Sequence, residues 1–532
     1  MMQTRRVFAT LAALIVLALA PAVAKTIDFD SATIADLNAA FDARTLTAEQ
    51  LVQMCLARIA AFDRKGPSLH AVIALNPKAL EQARALDAER KAKGRRSPLH
   101  GIPVVLKDNY DTFDMPTTGG SVLLEGSIPA KDAFVVKKLR DAGAIILAKV
   151  NLSEFASGGA YSSLGGQSLN PHDLTRSPSG SSGGTGVAIA AGYAPLGMGT
   201  DTGGSIRGPS TSNGIVGLKP THGLLSRSGI IPLALSFDTG GPMARSVYDV
   251  AVALGIMTGT DAADAATKKS DGMFQSDYTK ELRADALKGA RIGIARDFLG
   301  ADPDVDWVVE ASLDAMRKVG ATVVDVRYPK WLLDAKSEFY TVVRYPEFTA
   351  QIAEYLSHLG PKYPKTLAEM IERANGFTAT RGDGSGPNPG RWTRFKREEG
   401  SGTLDDYRYT AVHDFALPMI RAIVEGVFTT QKLDAIVYPT SSRRPELIAA
   451  PDAGGTATTP AAADIANLTG FPDLIVPAGF TGDRLPVGLS FLGRAFSEPK
   501  LLSLGYSFEQ ATHARRRPIH TPALAGESIS VP

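Results

Sequence analysis

The chain has 532 residues, 57 Lys and Arg against 55 Asp and Glu, and a single cysteine. Charge of both signs this evenly mixed offers no basic stripe for nucleic acid, and one thiol excludes both an internal disulfide and a Cys-rich metal site. A hydrophobic share of 44% supports a large core, in several domains or in one large α/β unit.

The first residues read as an export signal. Arg5 and Arg6 precede an apolar stretch over 7–20, and Ala22-Val23-Ala24 supplies a small-x-small cleavage pattern. A signal peptide over 1–24 is expected, with Lys25 as the mature N-terminus. The apolar stretch is shorter than the ~20 residues that a spanning helix needs, so no stable membrane partner is expected after cleavage. Thr4-Arg5-Arg6-Val7-Phe8 also resembles the twin-arginine signal, leaving both export routes open, and the expected location is periplasmic or secreted.

Helix and strand signals then alternate. Thr47-Ala48-Glu49-Gln50 is a capping-box pattern opening a helix with apolar positions Leu51, Met54, Cys55, Ala57 and Ile59. Pro77 starts a charged helix that runs to a terminal Gly94. Short apolar runs predict strands over 102–106, 145–148, 215–218, 291–295, 322–326, 433–438 and 474–476, with helices over 133–142 and 247–257 between them. Such runs separated by helices indicate an α/β fold with its sheet covered on both faces. Residues 158–241 are rich in Gly, Ser and Thr but broken by apolar runs, which marks a loop-rich active region rather than a linker. A helical stretch rich in aromatics follows from Asp304 to Asn375, and Gly382-Asp383-Gly384 with Pro387 and Pro389 reads as a surface turn. The expectation is one large domain over 25–532 with a mainly helical insertion around 304–430.

The chemistry is concentrated in three places. Asp201-Thr202-Gly203-Gly204-Ser205-Ile206-Arg207 puts a hydroxyl after two glycines that can turn backbone N–H groups towards a developing oxyanion. Ser205 then opens a helix-like segment whose N–H groups and dipole favour negative charge, but alone the motif reads first as a glycine-rich turn ending in a helix cap. Ser179-Gly180-Ser181-Ser182-Gly183-Gly184 adds a second serine cluster, and Val104-Val105-Leu106-Lys107-Asp108-Asn109 ends an apolar strand on a lysine. A buried lysine loses its charge more readily and becomes a usable base.

Together, Lys107 in LKDN, Ser181 in GSSGG and Ser205 in GTDTGGSIR resemble the amidase signature family. His100-Gly101-Ile102-Pro103, Gly217-Leu218-Lys219-Pro220-Thr221, Gly241-Pro242-Met243-Ala244-Arg245 and Leu485-Pro486-Val487-Gly488-Leu489 extend the resemblance across 33–518, most weakly over 256–433. The resemblance implies a central twisted mixed β-sheet covered by helices. It implies a Ser-Ser-Lys triad in which Ser205 attacks an amide carbonyl and Ser181, after a cis peptide bond, relays the proton to neutral Lys107. The backbone N–H groups of Thr202, Gly203, Gly204 and Ser205 would form the oxyanion hole, with no cofactor and no metal. Asp201 and Arg207 take supporting roles, and Phe155 and Tyr161 are pocket candidates by family position, with a core role beneath the loop as the alternative.

Other readings compete. Gly180-Ser181-Ser182-Gly183-Gly184 also fits G-x-S-x-G, which would make Ser182 the nucleophile with His513 or His520 as base, but a polar, proline-ended segment precedes it. Ser497-Glu498-Pro499-Lys500 fits S-x-x-K without the companion motifs, and a helix cap at Ser497 accounts for it. His100 and His222 read as hydrogen-bonded loop histidines. Segments 58–76 and 496–500 most resemble bacterial peptide amidases. Residues 153–161 are shorter than that subgroup leads one to expect, and Gly203 stands where it would carry an acid. Aryl acylamidase, aliphatic amidase or esterase activity therefore stays open as the alternative to peptide amide hydrolysis, as does an inactive exported binding protein. The expected partner is a small-molecule or peptide amide, without nucleic acid.

Overall fold

The computed structural model describes residues 25–376, 388–448 and 463–531. The expected signal over 1–24 and the turn at Gly382-Asp383-Gly384 lie outside the described residues.

Local signals act as their chemistry predicts. Thr47 caps the helix Ala48–Phe62 through a reciprocal capping box: Gln50 N donates to Thr47 Oγ1 at 3.1 Å and Thr47 N to Gln50 Oε1 at 2.9 Å. Leu51, Cys55 and Ile59 face the core as expected, but Ala57 is exposed and Arg58 is buried instead. Arg58 reaches across to Glu527 at 2.8 Å and to the Ala191 carbonyl at 2.6 Å, fastening this helix to the C-terminal segment.

The strands in chain order are β1 (Lys25–Asp28), β2 (Val72–Leu75), β3 (Pro103–Lys107), β4 (Ile145–Val150), β5 (Tyr161–Ser162), β6 (Gly166–Gln167), β7 (Leu196–Asp201) and β8 (Val216–Lys219). They continue with β9 (Thr239–Ala244), β10 (Arg291–Ala295), β11 (Thr322–Val326), β12 (Ala435–Pro439), β13 (Asp473–Phe480), β14 (Pro486–Leu492) and β15 (Ser528–Val531). Eleven of them build one mixed sheet in the order β11-β10-β12-β14-β13-β8-β9-β7-β3-β4-β2. From β12 to β7 every pairing is antiparallel, whereas β7-β3-β4 and β12-β10-β11 are parallel. β1 and β15 pair antiparallel and tie the two ends together. Every residue of β3, β4, β7, β9, β12 and β14 is buried, as strands covered by helices on both faces must be.

Two differences from the sequence expectation have physical causes. The strands β7 and β9 are glycine-rich (LGMGTD and TGGPMA), so composition reads them as loop. Close backbone approach demands these glycines: a Cβ on Gly241 would sit 2.1 Å from the Leu218 carbonyl oxygen of neighbouring β8. The helical insertion also begins later than Asp304. The helix Pro303–Lys318 is the crossover between the parallel strands β10 and β11. The helical layer proper starts at the helix Lys330–Ser357 and ends with the helix Leu417–Gln431 before β12.

Candidate active site

Parallel neighbours deliver their C-terminal ends to the same edge of a sheet, and sites in open α/β sheets gather there. β3 and β7 are such neighbours, with Leu106 opposite Met198. Lys107 ends β3 beside Thr200 near the end of β7. Its Nζ donates to Ser181 Oγ at 2.7 Å and to Thr200 Oγ1 at 2.7 Å, and Asn109 Nδ2 donates to the same threonine oxygen at 3.1 Å. Lys107 is fully buried and has no ion-pair partner among the described residues. Burial holds its amine down to about 7, against the more distant charges of Asp201 and Asp238.

Ser181 follows Gly180 through a cis peptide bond and is buried; its carbonyl accepts from Ser153 N at 3.0 Å. The next residue clips the two serine segments together, because Ser182 N donates to the Ser205 carbonyl at 3.2 Å. Ser205 itself is partly exposed, unlike Ser181 and Lys107. A dry amine, a buried hydroxyl and a reachable hydroxyl thus lie on three adjoining segments.

Asp201 shapes the loop between them. Its carboxylate accepts from Gly204 N at 2.9 Å, Ile206 N at 3.0 Å and Asn467 Nδ2 at 2.9 Å. Arg207 adds Nε and Nη2 contacts to it, each at 3.1 Å, and reaches Asp473 at 3.1 Å with Nη1. Burial works against this charge, yet Arg207 and the hydrogen bonds hold the Asp201 carboxyl well below the usual carboxylate range. On the other side Asp238 accepts from the Thr202 hydroxyl, from Leu233 N at 2.8 Å and from Ala234 N at 3.0 Å. Burial raises the Asp238 carboxyl to about 6.

Four expectations change. The Gly204 N–H is committed to Asp201, so among the expected oxyanion donors it is a brace of the loop rather than a free group. The helix after Ser205 spans only Arg207–Ser212, and Asp201 already takes the Ile206 and Arg207 N–H groups; it offers no anion site of its own. Phe155 is 1% exposed and packs edge-on against Phe395 at 5.6 Å, which makes it a core aromatic beneath the loop and not a pocket wall. Ser497 stands at the N-cap position of the helix Glu498–Thr512, but its hydroxyl turns back to the Arg494 carbonyl at 2.7 Å. Tyr161 remains half-buried on β5, next to Ala160, which abuts Gly183.

The competing nucleophile is spent elsewhere. Ser182 Oγ donates to the Thr200 carbonyl and accepts from Thr200 N, both at 3.2 Å, so it braces β7. His100 Nε2 meets the Leu86 carbonyl at 2.9 Å and His222 Nε2 the Leu235 carbonyl at 2.8 Å, and both serve the local backbone. Thr200, Asp238, Asn467 and Asp473 escaped sequence reasoning. Thr200 lies inside the GTDTGGS motif and could have been found there, whereas Asn467 and Asp473 are hundreds of residues away without a local signature.

A buried lysine–serine pair beside a braced, glycine-rich serine loop suits a serine hydrolase acting on acyl groups, and comparison with known proteins makes it an amidase. A family model described as Amidase matches residues 50–502, and the chain belongs to the amidase family: it hydrolyses an amide C–N bond to a carboxylate and ammonia or an amine. The X-ray structure of native peptide amidase from Stenotrophomonas maltophilia superimposes with a TM-score of 0.83 at 38% identity, over 92% of this chain and 99% of that one. One component chain of the glutamyl-tRNA(Gln) amidotransferase of Chloroflexus aurantiacus is 38% identical over 503 residues, 91% of this chain and 98% of its own. A probable amidase of Arabidopsis thaliana is 33% identical over 508 residues, 93% of this chain and 92% of that one.

Proposed function

We propose that the enzyme is an exported, stand-alone amidase in which Ser205 is the nucleophile, Ser181 the proton relay and Lys107 the base. The observation carrying this reading is the 2.7 Å contact between Ser181 Oγ and a fully buried Lys107 whose amine is held to about 7. At neutral pH roughly half of such an amine is unprotonated. Ser205 Oγ bonds to the amide carbon while its proton passes through Ser181 to Lys107. The oxyanion takes hydrogen bonds from the N–H groups of Thr202, Gly203 and Ser205, on a loop stiffened by Asp201 and Asp238. The C–N bond then breaks as the relayed proton reaches the leaving nitrogen. Water, deprotonated along the same path, cleaves the acyl-enzyme and restores the Ser205 hydroxyl.

Export is part of the proposal and rests on the 1–24 segment. The Chloroflexus relative is by name one component of a glutamyl-tRNA(Gln) amidotransferase, and an exported chain would not meet that transfer RNA. The reading is therefore hydrolysis of a free amide. Its test is a panel of peptide amides, anilides and short aliphatic amides, with ammonia and amine release measured separately. Ammonia from peptide amides supports the peptide-amidase reading. Amine release from anilides alone would move the enzyme to the aryl acylamidases. A specific observation keeps that second reading in view: a Cβ on Gly203 would lie 2.7 Å from Tyr340 Oη, so a tyrosine stands where an acidic side chain was expected. Mass spectrometry of the protein expressed with its leader tests export: a mature chain beginning at Lys25 supports it, and a cell-retained chain with an intact leader refutes it.

A further inference from the structure

Three arginines of the helical layer gather around one carboxylate that pairs with only two of them. Arg344 on the helix Lys330–Ser357 and Arg391 on the helix Pro389–Glu399 both pair with Glu398, at 2.5 and 2.8 Å. Arg391 lies over the rings of Phe348 and Phe395, at 4.7 and 4.1 Å from their centres. The third, Arg394, has no carboxylate partner among the described residues. Its Nη1 donates to Ser157 Oγ at 2.7 Å, and Arg344 Nη2 donates to the same oxygen at 2.9 Å. Burial and then the like charge of Arg344 push the Arg394 guanidinium below its ordinary value. Glu154, the other acid near Arg391, is raised by burial to about 7 and is bonded to Ser121 and Ser163 instead.

Such an imbalance is costly unless something else supplies negative charge, because buried charges are normally paired. Ser157 sharpens the point. Two guanidinium donors use both lone pairs of its hydroxyl oxygen, which leaves its proton to donate, and no acceptor for it is present among the described residues. Arg394 is partly exposed, which leaves the cluster open to a ligand.

The cluster also borders the reacting serines. Tyr340, one helical turn before Arg344 and on the same face, places its hydroxyl against Gly203. On the other side Gly158, which follows Ser157, has its carbonyl 2.6 Å from where a Cβ on Gly180 would stand, and Gly180 precedes Ser181. Arg344 is thus one helical turn from the residue against Gly203, and Ser157, which both arginines hold, is one residue from the carbonyl against Gly180.

We propose that Arg394, with Arg344 and Ser157, forms a carboxylate-binding subsite, and that the preferred substrates are amides carrying an acid group of their own. Two guanidinium groups gathered around one hydroxyl suit a carboxylate, which accepts several charge-assisted bonds at once. The proposal rests on Ser205 being the nucleophile of the adjoining site and names the substrate class for it.

The test compares acids with neutral isosteres. Glutaric acid monoamide against pentanamide puts the acid on the acyl side, and N-benzoylglycine against N-benzoylpropylamine puts it on the amine side. The wild-type enzyme should favour the acid by about tenfold or more in kcat/KM in at least one pair. Arg394→Gln should reduce that ratio by about tenfold, through KM rather than kcat, and Arg394→Lys should restore part of it. Indifference to the acid in both wild-type pairs would overturn the subsite without any variant, as would an unchanged ratio in Arg394→Gln. Labelling of Ser205 by a fluorophosphonate, followed in every protein, separates the two claims. Failure to label in the wild type refutes the nucleophile, whereas intact labelling with an unchanged ratio refutes only the subsite.

Discussion

Lys107 and Lys149 are both fully buried; Lys107 ends β3, and Lys149 stands one residue before the end of the adjacent parallel strand β4. Lys149 Nζ lies 3.1 Å from Asp108 and donates to Thr117 Oγ1 at 2.7 Å and the Pro116 carbonyl at 3.0 Å. Lys107 has two hydroxyls and no acid in contact. Burial lowers both amines, but the Asp108 charge pulls Lys149 back towards its charged form, and Lys107 is left at about 7. In the proposed relay the partner, rather than burial alone, separates the interior lysine that holds structure from the one that moves protons.

The largest effect expected from breaking this contrast is on turnover. Lys107→Met should lower kcat/KM by about two to four orders of magnitude while the fold persists, as removal of a general base does. Near-wild-type rates would end the relay. Lys149→Met should do the reverse: it strands Asp108 and should cost about 3–5 kcal/mol in denaturant unfolding. Surviving folded protein should still label at Ser205, and a variant that folds normally but fails only in turnover would erase the distinction.

The pH dependence sharpens the comparison further. In the proposed relay Lys107 acts neutral, so wild-type kcat/KM should fall about tenfold per unit below pH 7, and the residual rate of Lys107→Met should lose that slope. The stability effect has the opposite origin. Lys107 stays protonated up to about 10.5 in the unfolded chain but only to about 7 in the fold. The unfolded state then holds more protons between those values, so native stability rises with pH across that window, and Lys107→Met should remove the rise in a urea titration. The smallest effect belongs to the residue whose expected role changed. Phe155→Leu should cost about 1 kcal/mol of stability as a core substitution and leave substrate preference as it was; a change in preference would return Phe155 to the pocket.

What could be read before the structure followed local chemistry. The capping box at Thr47, the strands at 291–295 and 322–326, and the three motif residues each announce themselves within a few positions. β7 and β9 did not, because their glycines answer to neighbouring strands and not to their own backbone preferences. The same limit applied at the site. Lys107, Ser181 and Ser205 were legible as motifs, but the role of Asp201 depends on Asn467 and, through Arg207, on Asp473, which only tertiary folding brings near. The choice between pocket and core for Phe155 stayed open for a related reason: family position indicates nearness to the site and says nothing about which way a ring is buried.

The central claim is that Ser205 attacks with Lys107 as its base, and reaction with a fluorophosphonate tests it most directly. Mass spectrometry of the digested protein should find the adduct on Ser205, forming faster as pH rises through about 7 and far more slowly in Lys107→Met. An adduct on Ser182 or Ser181, or labelling that persists in Ser205→Ala, would contradict the account.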